Sequence, residues 1–221
     1  MSDSPNDPEY LAPAEFVDSD HPTIISFARE TAGSTGTDLE RVLRLFHAIR
    51  DGIRYDPYMP MSEKQSFRAS DCLIARRGWC VPKAALLAAC ARVIGVPARC
   101  GYADVRNHLA TRKLLESMGT DVFFWHSFSD LYLEGKWVKA TPAFNESLCE
   151  KFGLKPLEFD GRSDSLFHEF DRAGNKHMEY IRFRGTYADV PYAEIIATFV
   201  EEYGEEDEGL DGDFEAEAGH D

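Results

Sequence analysis

Gly78-Trp79-Cys80-Val81-Pro82-Lys83-Ala84-Ala85-Leu86-Leu87-Ala88-Ala89-Cys90-Ala91-Arg92 sets a cysteine directly before an alanine- and leucine-rich run of high helix propensity. Pro82 suits the first turn, where an N–H would have no intrahelical partner. The run should continue to Val93 or Ile94 and stop at Gly95, ahead of Pro97. Its apolar residues go all the way round, so the helix is expected at the centre of the domain. A thiol at a helix N-terminus faces unpaired backbone N–H groups and the positive end of the helix dipole, which favour thiolate. Cys80 is therefore a candidate nucleophile on a rigid element. The competing expectation is a small buried residue, the part assigned here to Cys90 and Cys100.

Upstream, Pro22 opens a helix that Gly33-Ser34-Thr35-Gly36 stops, and Thr37 or Asp38 caps a second through about Asp51. Leu39, Val42, Leu43, Leu45, Phe46 and Ile49 give that second helix a core-facing stripe, and its His47 reads as structural. Ile53 to Tyr58 is an extended segment, and Ser70 is expected to cap a short helix through Arg76. Downstream, Ala98–Val105 has strand character, and 107–119 reads as a loop with a helical turn.

The next block is aromatic and β-rich. Val122–Leu133 and Lys136–Thr141 flank Glu134-Gly135, a hairpin signal. A two-residue turn pairs Leu133 with Lys136 and, counting outward, Phe128 with Thr141. That places Thr141 diagonal to His126, and a four-residue loop would place them opposite; either register leaves both on one sheet face. Asp130 shares the face but stands four strand residues from His126, roughly 13 Å, too far to orient the imidazole. Beyond, 145–152 reads as a short helix, 167–171 with 176–181 as a second hairpin, and Asp189-Val190-Pro191 as the start of a last helix through Tyr203.

At 221 residues the chain has room for one good-sized core. Five cysteines with no CxxC pair argue against a disulfide framework and a structural zinc site, and a metal set built on Cys72, Cys80 and a histidine lacks a short-spacing ligand pair. The formal charge is −15, but eleven acidic residues and no Lys or Arg fall between Glu201 and Asp221. The rest carries an ordinary charge, so no basic stripe exists to bind nucleic acid. No apolar run reaches membrane-span length and no signal core is present, so the expectation is a cytoplasmic protein without a membrane partner. The boundaries expected are an extended arm over 1–20, a domain over 21–203 and a solvated, disordered acidic tail over 204–221.

Taken in order, these parts resemble the transglutaminase-like superfamily, which has a papain-like α+β fold. The residues that carry the resemblance are Gly78-Trp79-Cys80, Lys83-Ala84-Ala85-Leu86-Leu87, Gly95-Val96-Pro97-Ala98-Arg99, His126 leading into the hairpin, and Ile53-Arg54-Tyr55 upstream. The resemblance implies an α+β fold with the nucleophile on the N-terminus of a central helix packed against an antiparallel sheet. It also implies Cys80 as nucleophile and His126 as general base, with no cofactor. The family's orienting carboxylate, in an Asp-Pro step, is replaced here by Thr141-Pro142. A threonine hydroxyl can accept the imidazole N–H but has no charge to stabilise an imidazolium. Asp160, Asp164 and Asn145 are alternative orienters. Backbone N–H groups at the start of the Cys80 helix are the expected oxyanion donors, with the Trp79 indole as a possible second donor or a packing residue, and Trp125 and Asn145 are further substrate-binding candidates. The expected activity is acyl transfer or hydrolysis at an amide or ester of a peptide, protein or small amine-containing substrate. The alternative is a catalytically impaired fold that binds a peptide or protein.

Overall fold

A computed structural model describes residues 4–5, 7–108, 110–166, 172–174, 177–204 and 209–218. Its elements are α1 (Pro22–Ala32), α2 (Asp38–Gly52), β1 (Arg54–Tyr55), α3 (Ala69–Ala75), β2 (Arg77–Gly78), α4 (Cys80–Val93), β3 (Ala98–Asn107), α5 (Arg112–Met118), β4 (Val122–Leu133), β5 (Lys136–Ala140), α6 (Glu146–Lys151), β6 (Met178–Tyr187), α7 (Tyr192–Tyr203) and α8 (Phe214–Glu217). Four strands form one antiparallel sheet in the order β5-β4-β3-β6, and β1 pairs β2 in parallel. This is the α+β class expected.

Helix α4 is the centre. Every residue from Cys80 to Arg92 is buried, because α1, α2 and α3 pack around it on one side and β3 and β4 on the other. A helix surrounded in this way must be apolar all round and small where backbones approach, which the alternation of alanine and leucine supplies. Its attachment to the sheet includes one polar tie, Ser129 Oγ donating to the Ala84 carbonyl at 2.8 Å. The one charged side chain in its first turns, Lys83, is fully buried and donates to the carbonyls of Arg50 at 3.0 Å and Ile53 at 2.5 Å, closing the C-terminal end of α2. Burial pulls its ammonium down to about 7.

The expected helix limits hold where caps are strong. Thr37 and Glu40 form a reciprocal capping box at α2. Ser70, however, is not a cap: α3 starts at Ala69 with no side-chain cap, and Ser70 N–H is bound by the carboxylate of Asp18 from the N-terminal arm. Gly78 is required by close approach, since a Cβ there would stand 2.6 Å from Cys72 Sγ.

Among the described residues of the 1–20 arm the one helical element is a 3-10 turn, Pro8–Tyr10, yet Tyr10, Phe16 and Val17 are buried. Part of its backbone is satisfied by a side chain instead of a ladder: Asp189 accepts the N–H groups of Glu15, Phe16 and Val17 at 2.9–3.3 Å. The acidic tail departs further from expectation. Residues 209–218 fold back onto the domain, with Phe214 buried edge-on between Tyr55 and Tyr58 and short helix α8 capped by Asp213. One aromatic and one leucine among the acids suffice to anchor it, helped by Arg54–Asp213 at 2.9 Å and Tyr58 OH donating to Glu217 at 2.7 Å. The expected second hairpin falls largely outside the described residues; its latter part belongs to β6, which pairs β3 in antiparallel register.

Candidate active site

Cys80 and His126 line the same cavity. Cys80 is the first residue of α4, and Trp79, in extended conformation, turns the chain into the helix. His126 comes from β4, whose hairpin forms in the two-residue register: Glu134 and Gly135 have φ of 48° and 87° and Leu133 pairs Lys136. The two elements meet where α4 packs on β4, and there the backbone N–H groups of Ser127, the residue after His126, and of Val81 in the helix's first turn face the Cys80 sulfur.

Those N–H groups pull the thiol pKa down, as expected of a helix N-terminus, but burial outweighs them and pushes the thiol up to about 12. Cys80 is 8% exposed and His126 6%. Burial thus works against the thiolate that the helix N-terminus favours.

His126 stands next to an irregularity that the sequence did not announce. Ala103 pairs His126, but Val105 pairs Phe123, so β4 carries one extra residue there, a bulge. Trp125 absorbs it in the left-handed region at φ 60°. Its N–H, displaced from the ladder, donates to Asp104 at 3.1 Å, and Asp104 in turn pairs with Arg184 at 2.5 Å. Arg184 lies over the Trp125 ring, 4.7 Å from its centroid. Asp104, Trp125 and Arg184 therefore set the direction in which β4 presents His126. Asp104 is the one charged residue between Cys100 and Val105, which marks a side chain in need of a partner but not the bulge itself.

The remaining expected site residues are placed as follows. Thr141 is buried at the end of β5, and its hydroxyl hydrogen-bonds none of the described residues, so it supplies no orienting bond to the imidazole in this structure. Asp160 is engaged by the N–H groups of Arg162 and Ser163, and Asp164 by Lys139. Asn145 accepts from Tyr55 N–H at 3.0 Å and donates to Ser147 and Glu215. These three hold loops and the C-terminal segment. Trp79 does border the cavity, but its indole N–H is taken by the Ser66 carbonyl at 3.3 Å, so it is a wall and not a free oxyanion donor. Trp125 points its indole N–H to Thr198 at 2.9 Å and does not line the cavity. Asp130 is paired with Arg99 at 2.8 Å.

The other walls come from Tyr55 of β1, Leu114 and Met118 of α5, Phe123 and Phe124 of β4, and Phe199 and Tyr203 of α7. Tyr203 OH accepts from Phe124 N–H at 2.8 Å and donates to the Val122 carbonyl at 3.1 Å, fastening α7 to the start of β4. Among the described residues no group of three His, Cys, Asp or Glu side chains is placed to hold a metal ion, and no helix is long and apolar enough to cross a membrane.

Comparison with solved structures finds the fold in "a putative cysteine protease" from Cytophaga hutchinsonii, at 20% identity and a TM-score of 0.51, over 83% of this chain and 47% of that one. The chain thus spans about half the length of that neighbour. A second structure, "a putative protease" from Parabacteroides distasonis, aligns at 15% identity over 60% of this chain and 26% of that one, with a TM-score of 0.39. None of the curated proteins matches the chain. The family model of the transglutaminase-like superfamily matches residues 25–142, a span that runs from α1 through α4 and His126 to the Thr141-Pro142 step, and the chain belongs to that superfamily.

Proposed function

We propose that the protein is a cysteine-nucleophile enzyme, hydrolytic or acyl-transferring, that acts on an amide or ester bond through Cys80 and His126. The observation that carries this reading is the shared cavity of the two side chains, with Ser127 and Val81 N–H directed at the sulfur. Because burial keeps Cys80 protonated, His126 acts first as a base: it takes the thiol proton as sulfur attacks the carbonyl carbon. Backbone N–H groups around the sulfur meet the negative charge that develops on the carbonyl oxygen. His126 then gives its proton to the leaving amine or alkoxide, and the acyl group remains on Cys80 as a thioester. Water or an amine attacks that thioester, His126 accepts its proton, and the thiol is restored. Thr141 takes the position of the family's carboxylate without the charge.

A mechanism-based thiol probe with Cys80→Ala as the blank tests this. Labelling lost in Cys80→Ala and lowered about 100-fold in His126→Ala is the expected result; equal labelling in wild type and His126→Ala rejects the pair. The raised thiol and the neutral Thr141 favour a second reading, a peptide-binding member of the family without catalysis. It requires Cys80→Ser to retain cellular function.

A further inference from the structure

The geometry points to the substrate group that this site accepts: a compact, uncharged aliphatic side chain on the acyl side of the scissile bond. This rests on the proposed Cys80–His126 chemistry for its orientation. The cavity beside Cys80 has a volume of about 80 Å³, and no Asp, Glu, Lys or Arg is among the described residues that line it. Leu114, Met118, Phe123, Phe199 and Leu210 supply its apolar wall, and the ring of Tyr55 closes one side.

Three physical points follow. A charged group there would lose its hydration with no described ion to pair with, which is strongly unfavourable. A polar amide fares better than a charge, because Ser117, His126 and Tyr203 also line the cavity, but most of the wall is apolar and offers it no partner. Size discriminates among apolar groups, because a dry cavity that takes benzene measures about 150 Å³, roughly twice this one. A leucine-sized group fits and a phenyl ring does not without displacement of a wall. Met61, Met118, Phe123, Phe124, Tyr203 and Leu210 are the partly buried walls, and Leu210 belongs to the folded-back C-terminal segment.

The test uses N-acetyl aminoacyl chloromethyl ketones that differ only in side chain, with leucyl, phenylalanyl, glutaminyl, lysyl and glutamyl members, and follows Cys80 alkylation by intact mass. The leucyl reagent should react at least tenfold faster than the lysyl and glutamyl reagents and severalfold faster than the phenylalanyl one. Equal rates, or a faster charged reagent, overturn the assignment while leaving the nucleophile intact. In Met118→Glu the leucyl-to-lysyl ratio should fall about tenfold, and an unchanged ratio counts against the pocket. If no reagent alkylates Cys80, the catalytic reading fails, and the pocket is judged on Cys80→Ala protein by NMR titration with N-acetyl-leucinamide and N-acetyl-lysinamide. Tighter leucinamide binding sustains it; no difference ends it.

Discussion

The thiol of Cys80 is set by two opposed effects of the same residues. The start of α4 offers it N–H groups, and the packing that makes α4 central removes water from it. Burial prevails, so iodoacetamide labelling of Cys80 in the free protein should keep rising with pH beyond 9; a plateau at or below pH 8 would contradict this ordering. Thr141 poses the complementary question of charge. Thr141→Asp restores an anion at the family's position, and it should raise probe labelling of Cys80 about tenfold if His126 lies within its reach. A rate unchanged or lowered in a folded Thr141→Asp protein would show that the imidazole is oriented from elsewhere. The helix that opens at Cys80 was legible in the sequence, whereas hairpin counting holds only as far as the Ser129–Ala140 pair, beyond which Thr141 N–H turns to the Ser165 carbonyl. The burial that opposes ionisation of Cys80 was not legible, because a helix N-terminus is a local feature and burial is a tertiary one.

The elements that position the site differ in how openly they are written. Helix α4 and the β4–β5 hairpin follow from a run, a proline, a glycine and an Asp/Glu-Gly-type turn, and they fold as that chemistry dictates. The bulge at Trp125 does not, since a tryptophan with positive φ violates local preference and persists only because Asp104 and Arg184 hold it. Asp104→Ala leaves Trp125 N–H and the Arg184 guanidinium without their acceptor. It should cost about 2–3 kcal/mol in urea unfolding and lower Cys80 labelling beyond that expected from stability. Wild-type labelling in this variant would mean that the bulge serves the fold alone. Leu86→Ala, deep in α4 and remote from the site, should cost about 2–5 kcal/mol with labelling of the folded protein unchanged.

At the scale of the whole molecule, buried titratable groups give stability a pH dependence of definite sign. Lys83 falls to about 7 in the folded state and titrates near 10.5 when exposed, so between those values the unfolded chain binds the extra proton and stability rises with pH. Cys72, Cys80, Cys100 and Cys149 are raised to about 12 and Cys90 further, so above about pH 9 the folded chain holds protons that the unfolded chain releases, and stability falls. Five thiols outweigh one amine, and buried Tyr55 and Tyr102 add to the fall. Urea midpoints under reducing conditions should therefore peak near pH 9. A midpoint still climbing at pH 10.5 would place the cysteines in contact with water.

The folded-back segment carries a last consequence. Leu210 is a wall of the cavity, and the same stretch is held by Arg54 on Asp213, Lys113 on the Asp211 carbonyl and Glu217, and Lys151 on the Glu215 carbonyl. Occupancy of the cavity and docking of the segment are then linked reciprocally, each tightening the other by the same factor. Added salt, which screens the exposed pairs, should loosen ligand binding even for a ligand that bears no charge.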